Sequence, residues 1–71
     1  MNPIVKKLKA YQDVKGWPKA RMAREIGISV ATYHNNVTGA NAPYDYTLGF
    51  YERYYAAHKD EIEAALAPEV S

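Results

Sequence analysis

Residues Pro18 to Gly39 read PKARMAREIGISVATYHNNVTG, and this stretch predicts two short helices joined by a tight turn. Apolar residues recur at helical spacing in its first half, at Ala20, Ala23 and Ile26. Gly27 follows where this first helix must end, and glycine readily takes the left-handed conformation that such an end requires. Ile28 then points back between the helices, and Ser29 can accept a hydrogen bond from the free N–H groups of the next helix. The stretch therefore predicts a helix-turn-helix.

The second helix of the stretch, about Val30 to Val37, has an outward face without an acidic residue. A helical wheel directs Tyr33 and Val37 inward, with Asn36 at the flank. The outward residues are Ala31, His34, Asn35 and Thr38. Their methyl, imidazole, amide and hydroxyl groups can contact thymine methyls and the hydrogen-bonding groups of base edges. We therefore expect this face to read base pairs in the major groove of DNA.

The stretch AREIGISVATYHNNVTG and the segment APYDYTL that follows it resemble the Cro and phage-repressor class, also called XRE-like, over about Pro18 to Tyr55. The resemblance implies an all-α domain of four or five helices, lambda-repressor-like, that contains the helix-turn-helix. It also implies a sequence-specific transcriptional regulator of double-stranded DNA. On the matching positions, Lys19 is implied to lie near phosphates, and the residues implied to face DNA are Ser29, Val30, Ala31, His34 and Asn35. Asn36 departs from the class, which has an apolar or aromatic residue there.

Two sets of DNA contacts follow from these placements. We expect base contacts from Val30, Ala31, His34 and Asn35, and phosphate contacts from Lys19, Arg21, Ser29, Thr38 and Tyr44. Asn35 is the sharpest candidate, because an amide can bind adenine in a bidentate way. Tyr44 and Tyr46 flank the loop after the second helix, where a hydroxyl can reach a phosphate. For His34, the roles of metal ligand and plain surface residue remain alternatives to a DNA contact.

The rest of the chain also predicts helices. One spans about Pro3 to Val14 and ends at Gly16; its inward arc is Ile4, Val5, Leu8 and Tyr11. Trp17 is expected to seal the next helix, which runs from Pro18 to Ile26, against the core. After a loop that carries Gly39 and Pro43, Asp45 is expected to cap a fourth helix.

The inward arc of this fourth helix consists of Leu48, Tyr51, Tyr54 and Tyr55. It continues through His58, Ile62 and Leu66, so either one helix reaches about Ala67 or a break near His58–Asp60 separates a fifth. The resemblance favours the break, with Asp60 and Glu61 favourable at the start of the fifth helix.

The length of 71 residues fits one small domain, here residues 1–67 followed by a tail at 68–71. A core of this size is marginal, and without cysteine no disulfide can add stability. A second copy of the chain would help, and the expected dimer contacts are Ile62, Ala65 and Leu66. We therefore expect a homodimer that binds a palindromic operator.

The charges are unevenly distributed along the chain. Residues 1–24 hold seven basic residues and one acid, a net +6, whereas residues 25–71 hold two basic residues and seven acids, a net −5. We expect the basic half to meet phosphates and the acidic half to point away from them.

Several functions find little support in the sequence. No apolar run approaches the roughly 18 residues of a membrane span, and we expect a cytoplasmic protein without membrane contact. No nucleophile with a partner, glycine-rich phosphate loop or metal-ligand spacing occurs, so we expect no enzyme, cofactor, metal or small-molecule ligand. The alternative function is a protein-interaction module, such as a phage inhibitor, adaptor or antitoxin, that keeps the helix-turn-helix without binding DNA.

Overall fold

The computed structural model describes residues 2–67, and within them the chain is all-helical. Five helices follow one another: α1 (Pro3–Lys15), α2 (Lys19–Ile26), α3 (Val30–Thr38), α4 (Asp45–Ala57) and α5 (Lys59–Leu66). Helix α1 packs against α3, α4 and α5, while α2 packs against α3 and α4. The predicted all-α domain of four or five helices is therefore confirmed. No helix within residues 2–67 combines the length and apolar character that crossing a membrane requires.

The predicted turn between α2 and α3 is present and consists of three residues. Gly27 ends α2 at φ 98°, a left-handed conformation that side chains disfavour. The Ala23 carbonyl accepts hydrogen bonds from the Gly27 and Ile28 N–H groups at 2.9 and 3.0 Å. Ser29 caps α3, since its hydroxyl oxygen accepts a hydrogen bond from the Thr32 N–H at 3.1 Å. Local signals thus place the two helices at the predicted positions.

Other helix ends differ from the predicted ones in detail. Asn2 caps α1 by accepting hydrogen bonds from two backbone N–H groups, and this helix ends at Lys15 rather than Val14. Pro18 precedes α2 as its cap residue instead of being its first residue. The expectation that Asp45 caps α4 is wrong: Tyr44 occupies the cap position, and Asp45 is the first helical residue. An acid still suits that place because the helix dipole is positive there.

The helical segment is interrupted between α4 and α5, at the place that the resemblance favours. His58 separates the two helices at φ −122° and ψ 21°. Its N–H group still donates to the carbonyls of Tyr54 and Tyr55, at 3.0 and 3.3 Å. Asp60 and Glu61 lie in the first turn of α5, where acids are stabilising.

The core draws on every helix. Its buried apolar and aromatic side chains are Val5, Leu8, Tyr11, Met22, Ala23, Ile26, Tyr33, Val37, Tyr51, Tyr54 and Ile62. The expectation that Ala20 belongs to the buried stripe of α2 is wrong, because this residue is exposed in the first turn. Met22, which the sequence pattern did not single out, is fully buried with Ala23 and Ile26.

Two buried tyrosine–amide pairs fix α3 against its neighbours. The Tyr33 hydroxyl donates to Gln12 Oε1 at 2.6 Å, which joins α3 to α1. The Tyr51 hydroxyl donates to Asn36 Oδ1 at 2.8 Å, which joins α4 to α3, and Asn36 Nδ2 donates to the Asn41 carbonyl at 3.1 Å. Asn36 is thus a satisfied core amide, at a position where the resemblance predicts an apolar or aromatic residue.

The expected dimer contact at Ile62 is wrong. Ile62 is 0% exposed because α5 folds back on α1 and α4 and places this side chain in the chain's own core. Ala65 and Leu66 are partly buried against the same core. The predicted tail, residues 68–71, lies outside the described residues.

Candidate nucleic-acid interface

The predicted base-reading residues share the outward face of α3. Ala31 and His34 are exposed, Val30 is 46% exposed, and Asn35 is half-buried at the edge of this face. Tyr33 and Asn36, on the opposite side of the helix, are held by the two tyrosine–amide pairs. These buried hydrogen bonds set the rotation of α3 about its axis and so decide which side chains face outward.

Lys19 and His34 meet across the α2–α3 unit. Lys19 Nζ lies 2.9 Å from His34 Nδ1, although the two residues are 15 positions apart in the sequence. Lysine is a donor without an acceptor, so the ammonium donates and the ring nitrogen accepts. One predicted phosphate-binding residue and one predicted base-reading residue are therefore in direct contact.

Tyr44 lies near Asn35 at the other edge of the face. Both residues line a cleft of about 160 Å³ between α3 and the start of α4. The Tyr44 side chain is 83% exposed at the cap position of α4, so its hydroxyl is accessible to a ligand. The structure thus brings a predicted base-reading amide and a predicted phosphate-binding phenol to one cleft.

The hydroxyl groups of Ser29 and Thr38 are used within the chain. Ser29 donates to Thr32 Oγ1 at 2.8 Å, besides capping α3. Thr38 donates to the His34 carbonyl at 2.8 Å. Both residues are exposed, but their hydroxyl protons must leave these internal partners before either residue donates to a phosphate.

Arg21 lies apart from the outward face of α3. Its guanidinium carbon is 4.2 Å from the centre of the Trp17 ring, a distance typical of a cation–π contact. Trp17 in turn meets the ring of Tyr11 edge-on at 5.7 Å, and it is half-buried against the core as expected. Since Arg21 follows Lys19 by two positions, it projects from a different side of α2. The structure does not bring Arg21 together with the predicted base-reading residues.

The expectation that the basic and acidic halves of the chain separate is wrong for α1. Lys7 contacts Glu63 of α5 at 2.7 Å and the Tyr55 hydroxyl at 3.4 Å, and Tyr55 donates to the same carboxylate. These hydrogen bonds lower the pKa of Glu63 and raise the pKa of Lys7. Lys9 pairs with Asp13 in the same helix at 2.6 Å. Part of the basic half is therefore paired with carboxylates of the same chain at the surface.

Tyr46, a candidate for a phosphate contact, also belongs to an aromatic cluster beside the turn that the sequence did not predict. Tyr46 is 80% exposed and meets Phe50 edge-on at a centroid distance of 5.3 Å. Phe50 carbons lie 3.6 and 3.8 Å from the position that a Cβ on Gly27 would take. The four-residue spacing of Tyr46 and Phe50 in α4 is the signal that could have identified this cluster.

Neither histidine belongs to a metal-binding cluster. Residues 2–67 contain no group of three His, Cys, Asp or Glu side chains that could hold a metal ion. His58 stacks against Tyr54 at 4.3 Å and lies 3.8 Å from Glu61, which agrees with the structural role expected from its position.

The candidate interface is therefore the outward face of α3, with Lys19 beside His34 and Tyr44 beside Asn35. Comparisons with protein-family models, curated proteins and solved structures found no match for this chain.

Proposed function

We propose that the protein is a sequence-specific, double-stranded DNA-binding transcriptional regulator that places α3 in the major groove. The observation that carries this proposal is the acid-free outward face of α3, on which His34 is held by Lys19 at 2.9 Å. A short exposed helix fits the major groove, where each base pair presents its own pattern of donors and acceptors. We further propose a repressor of the phage or mobile-element kind that acts in the cytoplasm and blocks polymerase by occupying a promoter.

Four side chains on or beside the face have chemically suitable targets on DNA. The Asn35 amide matches the N6 and N7 groups of adenine, and the methyl group of Ala31 matches the thymine methyl. Lys19 retains two ammonium N–H groups for a phosphate oxygen while the third holds His34. The accessible hydroxyl of Tyr44 adds a second phosphate contact.

The proposed assembly on DNA is a homodimer. Two copies related by a two-fold axis place their α3 helices in successive major grooves, with half-sites about 34–36 Å apart. With Ile62 in the core, the residues of the original dimer expectation that still reach the surface are Ala65 and Leu66. A palindromic binding site is the direct consequence of this symmetry.

Selection from a pool of random duplexes tests the proposal. We expect enrichment of a palindrome, and we expect Asn35→Ala to relax the preference at one base position per half-site. The loss corresponds to about 1–3 kcal/mol of discrimination against the wrong base. Equal losses on all sequences would show that Asn35 reads no base, and a pool without enrichment would refute sequence-specific binding.

The salt dependence of affinity tests the phosphate contacts. We expect Lys19→Ala to weaken binding to all sequences alike. We also expect it to reduce the number of counterions released on binding, which the slope of log affinity against log salt concentration measures, by about one per subunit. We expect the same result from Arg21→Ala, because Arg21 is the other residue of α2 from which a phosphate contact is expected. Identical salt dependence of affinity for wild type and Lys19→Ala would show that Lys19 contacts no phosphate.

A protein-interaction module is the second candidate function, favoured by the exposed ring of Tyr46, which packs on the half-buried Phe50. Aromatic residues are enriched at protein interfaces. Binding through this cluster would change little with salt and would be lost in Tyr46→Ala, whereas binding of DNA through α3 would survive that substitution.

A further inference from the structure

We propose that His34 selects guanine at one position of each half-site by donating its Nε2–H to the major-groove edge, and that Lys19 fixes the ring tautomer that makes this possible. This inference rests on the proposed DNA binding and names the base that the face reads through His34. It follows from one contact, the 2.9 Å distance between Lys19 Nζ and His34 Nδ1.

The chemistry of lysine decides which group donates in this contact. The lysine ammonium carries three N–H donors and has no lone pair, so His34 Nδ1 must present its own lone pair. An imidazole with a lone pair on Nδ1 is neutral and carries its single N–H on Nε2. In a ring protonated on both nitrogens, the Nδ1–H group would face the N–H groups of the ammonium, and this hydrogen bond would be lost.

The position of the ring directs this single donor away from the chain. Nδ1 is occupied on the side of α2, and His34 is exposed on the outward face of α3. Thr38 donates to the backbone carbonyl of His34 and leaves the imidazole free. Nε2, the ring nitrogen farther from the backbone, is therefore the atom that first meets a ligand on this face.

A neutral donor on this face distinguishes the four bases. Guanine presents two acceptors in the major groove, N7 and O6, whereas the cytosine edge presents the N4 amino donor. Adenine and thymine each present one acceptor. The positive charge of Lys19 beside the ring further favours the guanine edge, because both of its groove atoms are electron-rich. His34 therefore prefers guanine and disfavours cytosine.

The tautomer is tested first in the free protein. Long-range proton–nitrogen correlation spectra of nitrogen-15-labelled wild type, recorded at mildly alkaline pH, distinguish a protonated Nε2 from a protonated Nδ1. We expect the Nε2–H form for His34. A predominant Nδ1–H form would overturn the inference, whatever the protein binds.

Base selection is tested with a pair of variants that separate the two nitrogens. His34→Gln carries its amide near the position of Nε2, whereas His34→Asn carries its amide near the position of Nδ1. After selection from random duplexes, we expect wild type to prefer guanine by about fivefold or more at the affected position, the lower end for a good base contact. His34→Gln should retain part of this preference, and His34→Asn should lose it.

Replacing that guanine with 7-deazaguanine removes the N7 acceptor and leaves the base pair intact. We expect wild type to lose affinity for this probe, while His34→Ala should bind both duplexes equally. If His34→Ala weakens all sequences to the same extent, the ring contacts a phosphate and the inference is overturned. A preference for cytosine at the affected position overturns it as well.

Failure of the inference differs visibly from failure of the proposed function. A palindrome that is enriched by wild type and unchanged in His34→Ala contradicts guanine selection but retains sequence-specific DNA binding. A pool with no enrichment for wild type contradicts both, and the nitrogen-15 spectrum still decides which ring nitrogen of His34 carries the proton.

Discussion

Asn36 shows how one buried amide determines what a helix presents to its surroundings. It accepts from Tyr51 of α4 and donates to the Asn41 carbonyl in the loop after α3, and it is 5% exposed. Both ends of the amide are therefore satisfied, which is the condition for burying a polar group without a large loss of stability. Because these bonds hold the inner side of α3, they indirectly position His34 and Asn35 on the outer side.

Substitution of Asn36 tests this role through stability. Asn36→Leu leaves the Tyr51 hydroxyl without its acceptor, and we expect a loss of about 1–3 kcal/mol in the free energy of unfolding. In the double variant with Tyr51→Phe, both partners of the hydrogen bond are absent, so the total loss should be smaller than the sum of the single losses. Urea denaturation measures all three variants. Asn35→Ala is the control and should change stability by less than about 0.5 kcal/mol; additive losses would contradict the coupling.

At the scale of elements, the sequence predicted what local chemistry decides. Gly27 and Ser29 place the end of α2 and the start of α3, because a left-handed glycine and a capping hydroxyl act on their immediate neighbours. The sequence did not predict the hydrogen bond of Asn36 with Tyr51 or the contact of Lys19 with His34. Each of these depends on how two helices meet, which helical periodicity along one segment does not specify.

Two glycines of different conformation provide a prediction at this scale. Gly27→Ala should destabilise the protein by about 1–2 kcal/mol, because its φ of 98° is unfavourable for a side chain. The nearest atoms of Phe50 stand 3.6 Å from the added Cβ, an ordinary contact, so the loss is conformational rather than steric.

Gly49→Ala is the matched variant and should have the opposite effect. Gly49 lies inside α4, and an added Cβ there meets no atom within 4 Å. Alanine is the better helix former by about 0.5–1 kcal/mol, so this variant should be more stable than wild type. Thermal denaturation of both variants provides the comparison, and a shift of the same sign for the two would contradict the assignment of Gly27 as the strained position.

At the scale of the whole molecule, α1 decides where the charges act. Although the linear sequence separates a basic from an acidic half, α1 packs on α5 and so brings Lys7 to Glu63. A linear count of charges cannot reveal this, because the count omits which helices become neighbours. The burial of Ile62 by the chain itself was missed for the same reason, because it also depends on which helices become neighbours. Lys19, at the start of α2, places a positive charge beside the outward face of α3.

The core of the whole molecule makes it sensitive to alkali. Burial raises the pKa of Tyr51 and of Tyr54 to about 12, and it raises the pKa of Tyr33 as well. An unfolded tyrosine loses its proton near pH 10, so between about pH 10 and 12 the unfolded chain binds fewer protons than the folded one. The free energy of unfolding must then fall as pH rises, by roughly 1.4 kcal/mol for each pKa unit and each tyrosine. Below about pH 10 these tyrosines are neutral in both states, and this part of the stability is fully present.

Tyr54→Phe tests this alkaline sensitivity, because it removes one titrating hydroxyl and keeps the aromatic ring in the core. We expect its free energy of unfolding, measured by urea denaturation between pH 8 and 12, to decline less steeply than that of wild type. Tyr44→Phe is the matched control, since Tyr44 is 83% exposed and its removal should leave the slope unchanged. Equal slopes for wild type and Tyr54→Phe would mean that the Tyr54 hydroxyl reaches water in the folded protein. The alkaline loss of stability would then come from the other buried tyrosines, Tyr11, Tyr33 and Tyr51, whose pKa burial also raises.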